Sequence, residues 1–175
     1  MAGKFDAPPP LPHEVLNRVL RIAQTDGRLL LFIAGGFALI SAFASDGVGA
    51  IVGCCAAGAG AWELHGAGRL RSGIVEGAVD LINSQLLLLC VMLGYVGFQL
   101  THFEPETILS AVTPALKERF SDMGITSDQY LSILKQSYFV GYILVGLVSL
   151  VYQGSLALFY RRSRSAIARA LEDAE

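Results

Sequence analysis

The segment LINSQLLLLCVMLGYVGFQL, residues 81–100, decides the fold class of this chain. It contains no charged residue, and its apolar residues follow one another without the alternation that marks a half-buried β-strand. At about 1.5 Å per residue, a helix of about 20 residues spans the roughly 30 Å hydrocarbon core of a bilayer. The segment therefore predicts a transmembrane α-helix.

Three further segments have the same character, and they cover residues 29–45, 48–66 and 137–160. The chain is 53% hydrophobic and only 16% charged, with a mean hydropathy of +0.53, and its charges collect between the apolar runs. Continuous apolar segments also exclude a transmembrane β-barrel, which needs about eight or more alternating strands. We expect an all-α integral membrane protein whose fold is a four-transmembrane-helix bundle.

The flanking regions differ from the spans in composition. Residues 1–11 are rich in proline and predict a mobile arm, and residues 12–27 predict an N-terminal amphipathic helix. Such a helix beside a span either lies in the membrane interface or docks on another subunit. Residues 28–165 would then form the membrane domain, with a cytoplasmic tail over residues 166–175. The apolar residues on one face of the amphipathic helix are Val15, Leu16, Val19, Ile22 and Ala23.

The outer loop, residues 101–136, carries helix signals rather than the composition of a disordered segment. Pro105, between two glutamates, is typical of a helix start. Thr126 and Gln129 have the spacing of a capping box, in which each side chain binds the other residue's backbone N–H. We therefore expect a short helical outer loop. Its apolar stripe consists of Ile108, Val112, Leu116 and Phe120.

The basic residues predict the orientation. With the N-terminus inside, ten of the 13 lysines and arginines lie on the cytoplasmic side, and only Lys117, Arg119 and Lys135 lie outside. Because cytoplasmic loops of membrane proteins carry an excess of Lys and Arg, both termini are predicted to be cytoplasmic. The location that fits best is the cell membrane, with a bacterial inner membrane favoured.

Small residues recur at steps of three or four along the later spans. Helices in lipid associate through such faces because small side chains let the backbones approach closely. The predicted packing residues are Gly49, Gly53, Ala56 and Gly60 in the second span, Cys90, Gly94 and Gly97 in the third, and Gly146 in the fourth. In the fourth span this face continues through Tyr138, Tyr142, Ser149 and Gln153. The cysteines Cys54 and Cys55 are interpreted as small apolar packing residues as well.

Polar residues gather at the cytoplasmic ends of the second and third spans. They are Glu63, His65, Asp80, Asn83 and Gln85. A carboxylate at the depth of Glu63 should be paired, protonated or in contact with water, and Arg69 and Arg71 are the nearest basic candidates. The cluster could fix the hairpin between the two spans, line the mouth of an ion or solute path, or, with the least support from spacing, bind a metal through Glu63, His65 and Asp80.

Aromatic residues near this cluster suggest a cytoplasmic aromatic belt. Trp62, Tyr152 and Tyr160 are placed where interfacial Trp and Tyr residues are common. No nucleotide-binding loop, hydrolase motif, metalloprotease motif or paired-cysteine motif is present, and no basic-aromatic surface suits nucleic acid. We expect no catalytic residues, no cofactor and no resident metal.

These features favour a small non-enzymatic membrane protein. Its surplus of small-residue faces favours a homo-oligomer, or an accessory or structural subunit beside other membrane subunits, with membrane lipid as a further partner. The alternative is an oligomeric ion or small-solute channel or transporter, with Glu63 and Asp80 at the inner mouth and Asn83, Ser149 and Gln153 toward the path. A membrane enzyme acting on a lipid or quinone is a third alternative, for which no catalytic constellation is visible.

Overall fold

Four long helices make up most of the part of the chain that the structure describes. The computed structural model describes residues 11–103, 105, 113, 118–119, 122–124 and 126–173. The helices are α1 (Pro12–Phe43), α2 (Gly47–Arg71), α3 (Gly77–Thr101) and α4 (Ser127–Glu172). Each is long and apolar enough to cross a membrane. The prediction of an all-α chain with four candidate membrane-spanning helices is confirmed at this level.

Helix α1 runs without a break through 32 residues. It begins after Leu11, because Pro12 suits the first helical turn and the Glu14 carboxylate accepts from the backbone N–H of Leu11 at 3.4 Å. Residues 12–27, predicted as an amphipathic helix, form the N-terminal half of α1. Val19 and Ala23, on the predicted apolar face, are fully buried against other parts of the chain.

The turn between α1 and α2 is short and capped by an aspartate. Ser45 adopts a left-handed backbone conformation with φ 60°, which reverses the chain after α1. The Asp46 carboxylate then accepts from the backbone N–H of Gly49 at 2.9 Å. This bond satisfies one of the free N–H groups of the first turn of α2, as Asp commonly does at an N-cap.

The turn between α2 and α3 depends on close backbone approach. Gly73 has φ +82°, which glycine adopts at little cost. A Cβ added at Gly77 would lie 2.5 Å from the carbonyl oxygen of Gly66 and 2.9 Å from the backbone nitrogen of Leu70. Only a residue without a side chain allows the start of α3 to lie this close to the end of α2.

The described chain divides into two compact units. One comprises Met1–Val91 and Tyr152–Glu175, and the other comprises Met92–Val151. The core of the first unit joins parts of all four helices, and its members are Val19, Ala23, Ala67, Leu70, Ala78, Leu81, Tyr160 and Ile167.

The last part of α4 belongs to that core. Helix α4 continues to Glu172, and Ile167 and Ala170 are fully buried. Residues 166–172, assigned to the cytoplasmic tail, thus continue α4 as a packed helical segment.

In the second unit, α3 and the first half of α4 pack through a small residue and aromatic rings. A Cβ added at Gly146 would meet the Val96 side chain at 3.5 Å.

The predicted capping box at the start of α4 is confirmed. Thr126 N–H donates to the Gln129 side chain at 3.0 Å, and the Thr126 hydroxyl accepts from Gln129 N–H at 3.5 Å. The proline-rich arm, up to residue 10, and the predicted apolar stripe of the outer loop lie outside the described residues.

Candidate functional site

A fully buried and a half-buried acidic side chain, Glu63 and Asp26, lie close together in the first unit. The Glu63 side chain is fully buried, and its Oε1 accepts a hydrogen bond of 2.7 Å from the Tyr160 hydroxyl. The Asp26 carboxylate accepts from the Tyr152 hydroxyl at 2.7 Å and from the Gln85 amide nitrogen at 3.1 Å. Asp26 and Gln85 also interact with Glu63, without a hydrogen bond of ordinary geometry. We call these five residues the acidic cluster.

The close crossing of α1 and α2 brings the two carboxyl groups together. A Cβ added at Gly27 would lie 3.0 Å from the Gly60 carbonyl oxygen, and one at Gly60 would lie 2.9 Å from the Gly27 carbonyl oxygen. Asp26 immediately precedes Gly27, and Glu63 follows Gly60 by one helical turn, on the same face. The glycines therefore set the distance at which the carboxyl groups face each other.

Some polar atoms of the acidic cluster have no partner. Glu63 Oε2 and Gln85 Oε1 are buried and make no hydrogen bond to any residue that the structure describes. Both atoms are acceptors. Because the Gln85 amide nitrogen is directed at Asp26, its carbonyl oxygen is the end of the side chain that remains open.

Asp80, predicted to share a site with Glu63, has its own partners instead. Its carboxylate forms an ion pair of 2.7 Å with Arg69 and accepts from the Trp62 indole N–H at 3.4 Å. This arrangement ties α2 to α3 next to their turn, which is the hairpin-fixing role considered for the whole set. Arg69 therefore neutralises Asp80 and leaves Glu63 without a basic partner.

The remaining predicted polar residues lie apart from the acidic cluster. His65 and Asn83 are exposed on the single chain, so the proposed metal set of Glu63, His65 and Asp80 does not come together. Among the described residues, no group of three or more His, Cys, Asp and Glu side chains is placed to hold a metal ion. Of the predicted set, only Glu63 and Gln85 belong to the acidic cluster.

The acidic cluster also contains Asp26, Tyr152 and Tyr160, which were not predicted as site residues. Asp26 lies near the end of the predicted amphipathic helix, and an acidic residue three positions before an apolar run is the signal that could have identified it. The two tyrosines were assigned to an aromatic belt. Tyr160 is instead fully buried, and both hydroxyls donate to cluster carboxylates.

The predicted packing residues divide between contact and outer surfaces. Gly53, Ala56 and Gly60 are buried in α2, where a Cβ added at Gly53 would lie 2.9 Å from Ala38. Gly146 is buried in α4. Gly49 is half-buried, and its N–H is the group that Asp46 caps.

The predicted packing residues of the third span face outward on the single chain. Cys90, Gly94 and Gly97 are exposed, and a Cβ added at either glycine would meet no described atom within 4 Å. The buried residues of α3 in the first unit are Gly77, Ala78, Leu81, Ser84, Gln85 and Leu88. They lie across the helix from the small residues, because the larger apolar and amide side chains fill the interior there. Cys54 and Cys55 are exposed as well.

A second polar group, made of aromatic residues, lies in the second unit. The Tyr138 hydroxyl donates to the Gln99 side-chain oxygen at 2.8 Å, and the rings of Tyr95 and Tyr142 meet edge to face with centroids 5.8 Å apart. These neutral groups satisfy one another, so the arrangement serves packing between α3 and α4.

Comparisons of this chain with protein-family models, with curated proteins and with solved structures found no match.

Proposed function

We propose that this chain is a multi-pass integral membrane protein with both termini in the cytoplasm, in a bacterial inner membrane. The support is that only 17–28% of the most apolar window of each helix is buried inside the protein. Large side chains such as Phe32, Phe37 and Phe43 are 63–89% exposed. Lipid would cover them, and the excess of Lys and Arg at the predicted cytoplasmic ends supports the orientation.

Within that membrane domain, we propose a non-enzymatic ion or small-solute channel or transporter. The observation that carries this proposal is the fully buried Glu63 beside the half-buried Asp26. Ionisable residues within membrane helices are costly, and where they occur they commonly mark an ion path or a proton relay. Glu63 precedes Arg69 by six residues, which corresponds to about 9 Å along the helix, so the carboxyl group lies inside the interfacial arginines.

A flux assay tests this proposal. The purified protein is reconstituted into liposomes that contain a pH-sensitive dye, and a Na⁺ gradient or a membrane potential is imposed. We expect proton or Na⁺ flux above that of empty liposomes for the wild type and for Glu76→Gln, an exposed carboxyl outside the cluster. Glu63→Gln should abolish the flux. Flux that is absent in the wild type, or that survives in Glu63→Gln, contradicts the proposal.

A second candidate function is that of a subunit in a membrane assembly, either a homo-oligomer or an accessory partner of other membrane proteins. The outward face of α3 with Cys90, Gly94 and Gly97 favours it, because small residues permit close contact with another helix. Cross-linking through Cys90 in native membranes tests it. A cross-linked product of defined mass that Gly94→Leu eliminates supports an assembly, and recovery of monomer alone argues against it.

A further inference from the structure

The oxygen atoms of the acidic cluster are arranged to receive a positive charge. Glu63 is fully buried and Gln85 is 1% exposed, and each has one oxygen without a partner among the described residues. Both open atoms are hydrogen-bond acceptors, so only a hydrogen-bond donor or a positive charge can satisfy them. A buried polar atom left without a partner is destabilising, and a bound cation or a proton would recover this cost.

The groups that face the two carboxyls are acidic or neutral on every helix. Helix α1 provides Asp26, α2 provides Glu63, α3 provides Gln85, and α4 provides Tyr152 and Tyr160. Within the described part of the chain the one ion pair joins Arg69 to Asp80, and Arg18 lies over the Phe159 ring at 5.7 Å. Neither arginine balances the cluster. Two adjacent carboxylates without a counter-charge would repel each other, and the charge on Glu63 would in addition be withdrawn from water.

The number of open ligands limits the charge and size of the cation. Ca²⁺ takes about six to eight oxygen ligands, and Mg²⁺ retains several waters in octahedral geometry. The acidic cluster has two open oxygens, because the other carboxylate oxygens already accept from two hydroxyls and one amide. Those three donors also offset part of the negative charge. A single positive charge of small radius fits this arrangement.

We propose that Asp26 and Glu63, together with the Gln85 carbonyl oxygen, form a binding site for one small monovalent cation, a proton or Na⁺. The two carboxyl groups hold this cation in common. The cation bound at this site would be the species that the proposed channel or transporter moves. Only the claim that the cation crosses the membrane rests on the proposed function. Binding itself depends on the acidic cluster alone.

Infrared spectroscopy of the full-length protein in detergent tests the site. In Na⁺-free buffer near neutral pH, we expect the C=O band of a protonated carboxyl group in the wild type. The band should be lost in Glu63→Gln and kept in Glu76→Gln. Because glutamine has the shape of a protonated glutamate and its NH₂ group can donate to Asp26, Glu63→Gln is expected to fold. Asp26→Asn provides a second variant in case it does not.

Addition of NaCl, compared with choline chloride, distinguishes the two cations. If NaCl removes the wild-type band, Na⁺ replaces the proton in the shared site. If the band is unchanged by NaCl but lost at high pH, the ligand is the proton. A wild type with no band that either variant removes, and with no response to Na⁺, overturns the proposal.

Combination with the flux assay separates the two proposals. Binding without flux leaves the site standing as a structural cation site and rejects the transport function. Flux in the wild type together with neither a protonated band nor a Na⁺ response rejects the site and leaves transport to another path.

Discussion

Replacement of Gly60 with alanine should destabilise the protein, whereas the same replacement at Gly58, half a helical turn away, should not. A Cβ at Gly60 would lie 2.9 Å from both the Gly27 carbonyl oxygen and the Leu31 backbone nitrogen. Both atoms belong to the backbone of α1, so neither can move aside as a side-chain end could. A Cβ at Gly58 would meet nothing within 4 Å.

The size of the effect follows from two opposing contributions. Overpacking of a close contact costs about 1–3 kcal/mol, since α1 and α2 must separate to restore ordinary contact distances. Replacing a helical glycine with alanine gains about 0.5–1 kcal/mol from lower backbone entropy in the unfolded state. We expect a net loss of up to about 2.5 kcal/mol for Gly60→Ala. Gly58→Ala should be neutral or more stable by up to about 1 kcal/mol.

The assay is unfolding of both variants and the wild type in the same mild detergent, followed by helical circular dichroism during titration with SDS. The difference between the two alanine variants is the decisive quantity, because helix propensity contributes equally to both. If Gly60→Ala proves as stable as Gly58→Ala, the close crossing of α1 and α2 is wrong, and so is the account of how Asp26 comes to face Glu63.

Two further predictions concern single hydrogen bonds. Tyr160→Phe removes the donor to the buried Glu63 and should lower the free energy of unfolding by about 1–3 kcal/mol. Tyr152→Phe, at a half-exposed position, should cost less in the same titration, and the reverse order would contradict the burial argument. Thr126→Ala removes one half of the α4 capping box and should cost about 1 kcal/mol. Hydrogen exchange should then become faster in the first turn of α4, while unchanged exchange there would show that the cap contributes nothing.

Glu63 and Asp80 both lie near the turn between α2 and α3, but their side chains differ in burial and in the partners that balance their charge. Asp80 has a basic partner at 2.7 Å and a partly exposed side chain, so its charge is balanced at the edge of the helices. Glu63 is fully buried, and within the described residues the one hydrogen bond of ordinary geometry to its carboxyl group comes from Tyr160. The first arrangement is sufficient to hold a hairpin together, whereas the second calls for a positive charge from outside the protein.

The amino-acid sequence by itself determined the local features of this protein. Hydropathy predicted four helices long enough to span a bilayer, since length and apolar character are properties of contiguous residues. The capping box at Thr126 and Gln129 was predictable for the same reason, because both partners lie within one turn. Recurrent small residues in α2 also indicated its packing face, on which Gly60 lies.

Only the tertiary structure decided which faces meet. Asp26 and Glu63 lie far apart in the chain, and their contact depends on the rotation and register that the Gly27–Gly60 crossing imposes on α1 and α2. Helix rotation also determines which face of α3 is buried. Its small residues Cys90, Gly94 and Gly97 face outward, and bulkier residues such as Gln85 fill the interior. Periodicity shows that a helix has distinct faces. Which of them is buried depends on the shape and polarity of the neighbouring helices, and this information is spread over distant parts of the chain.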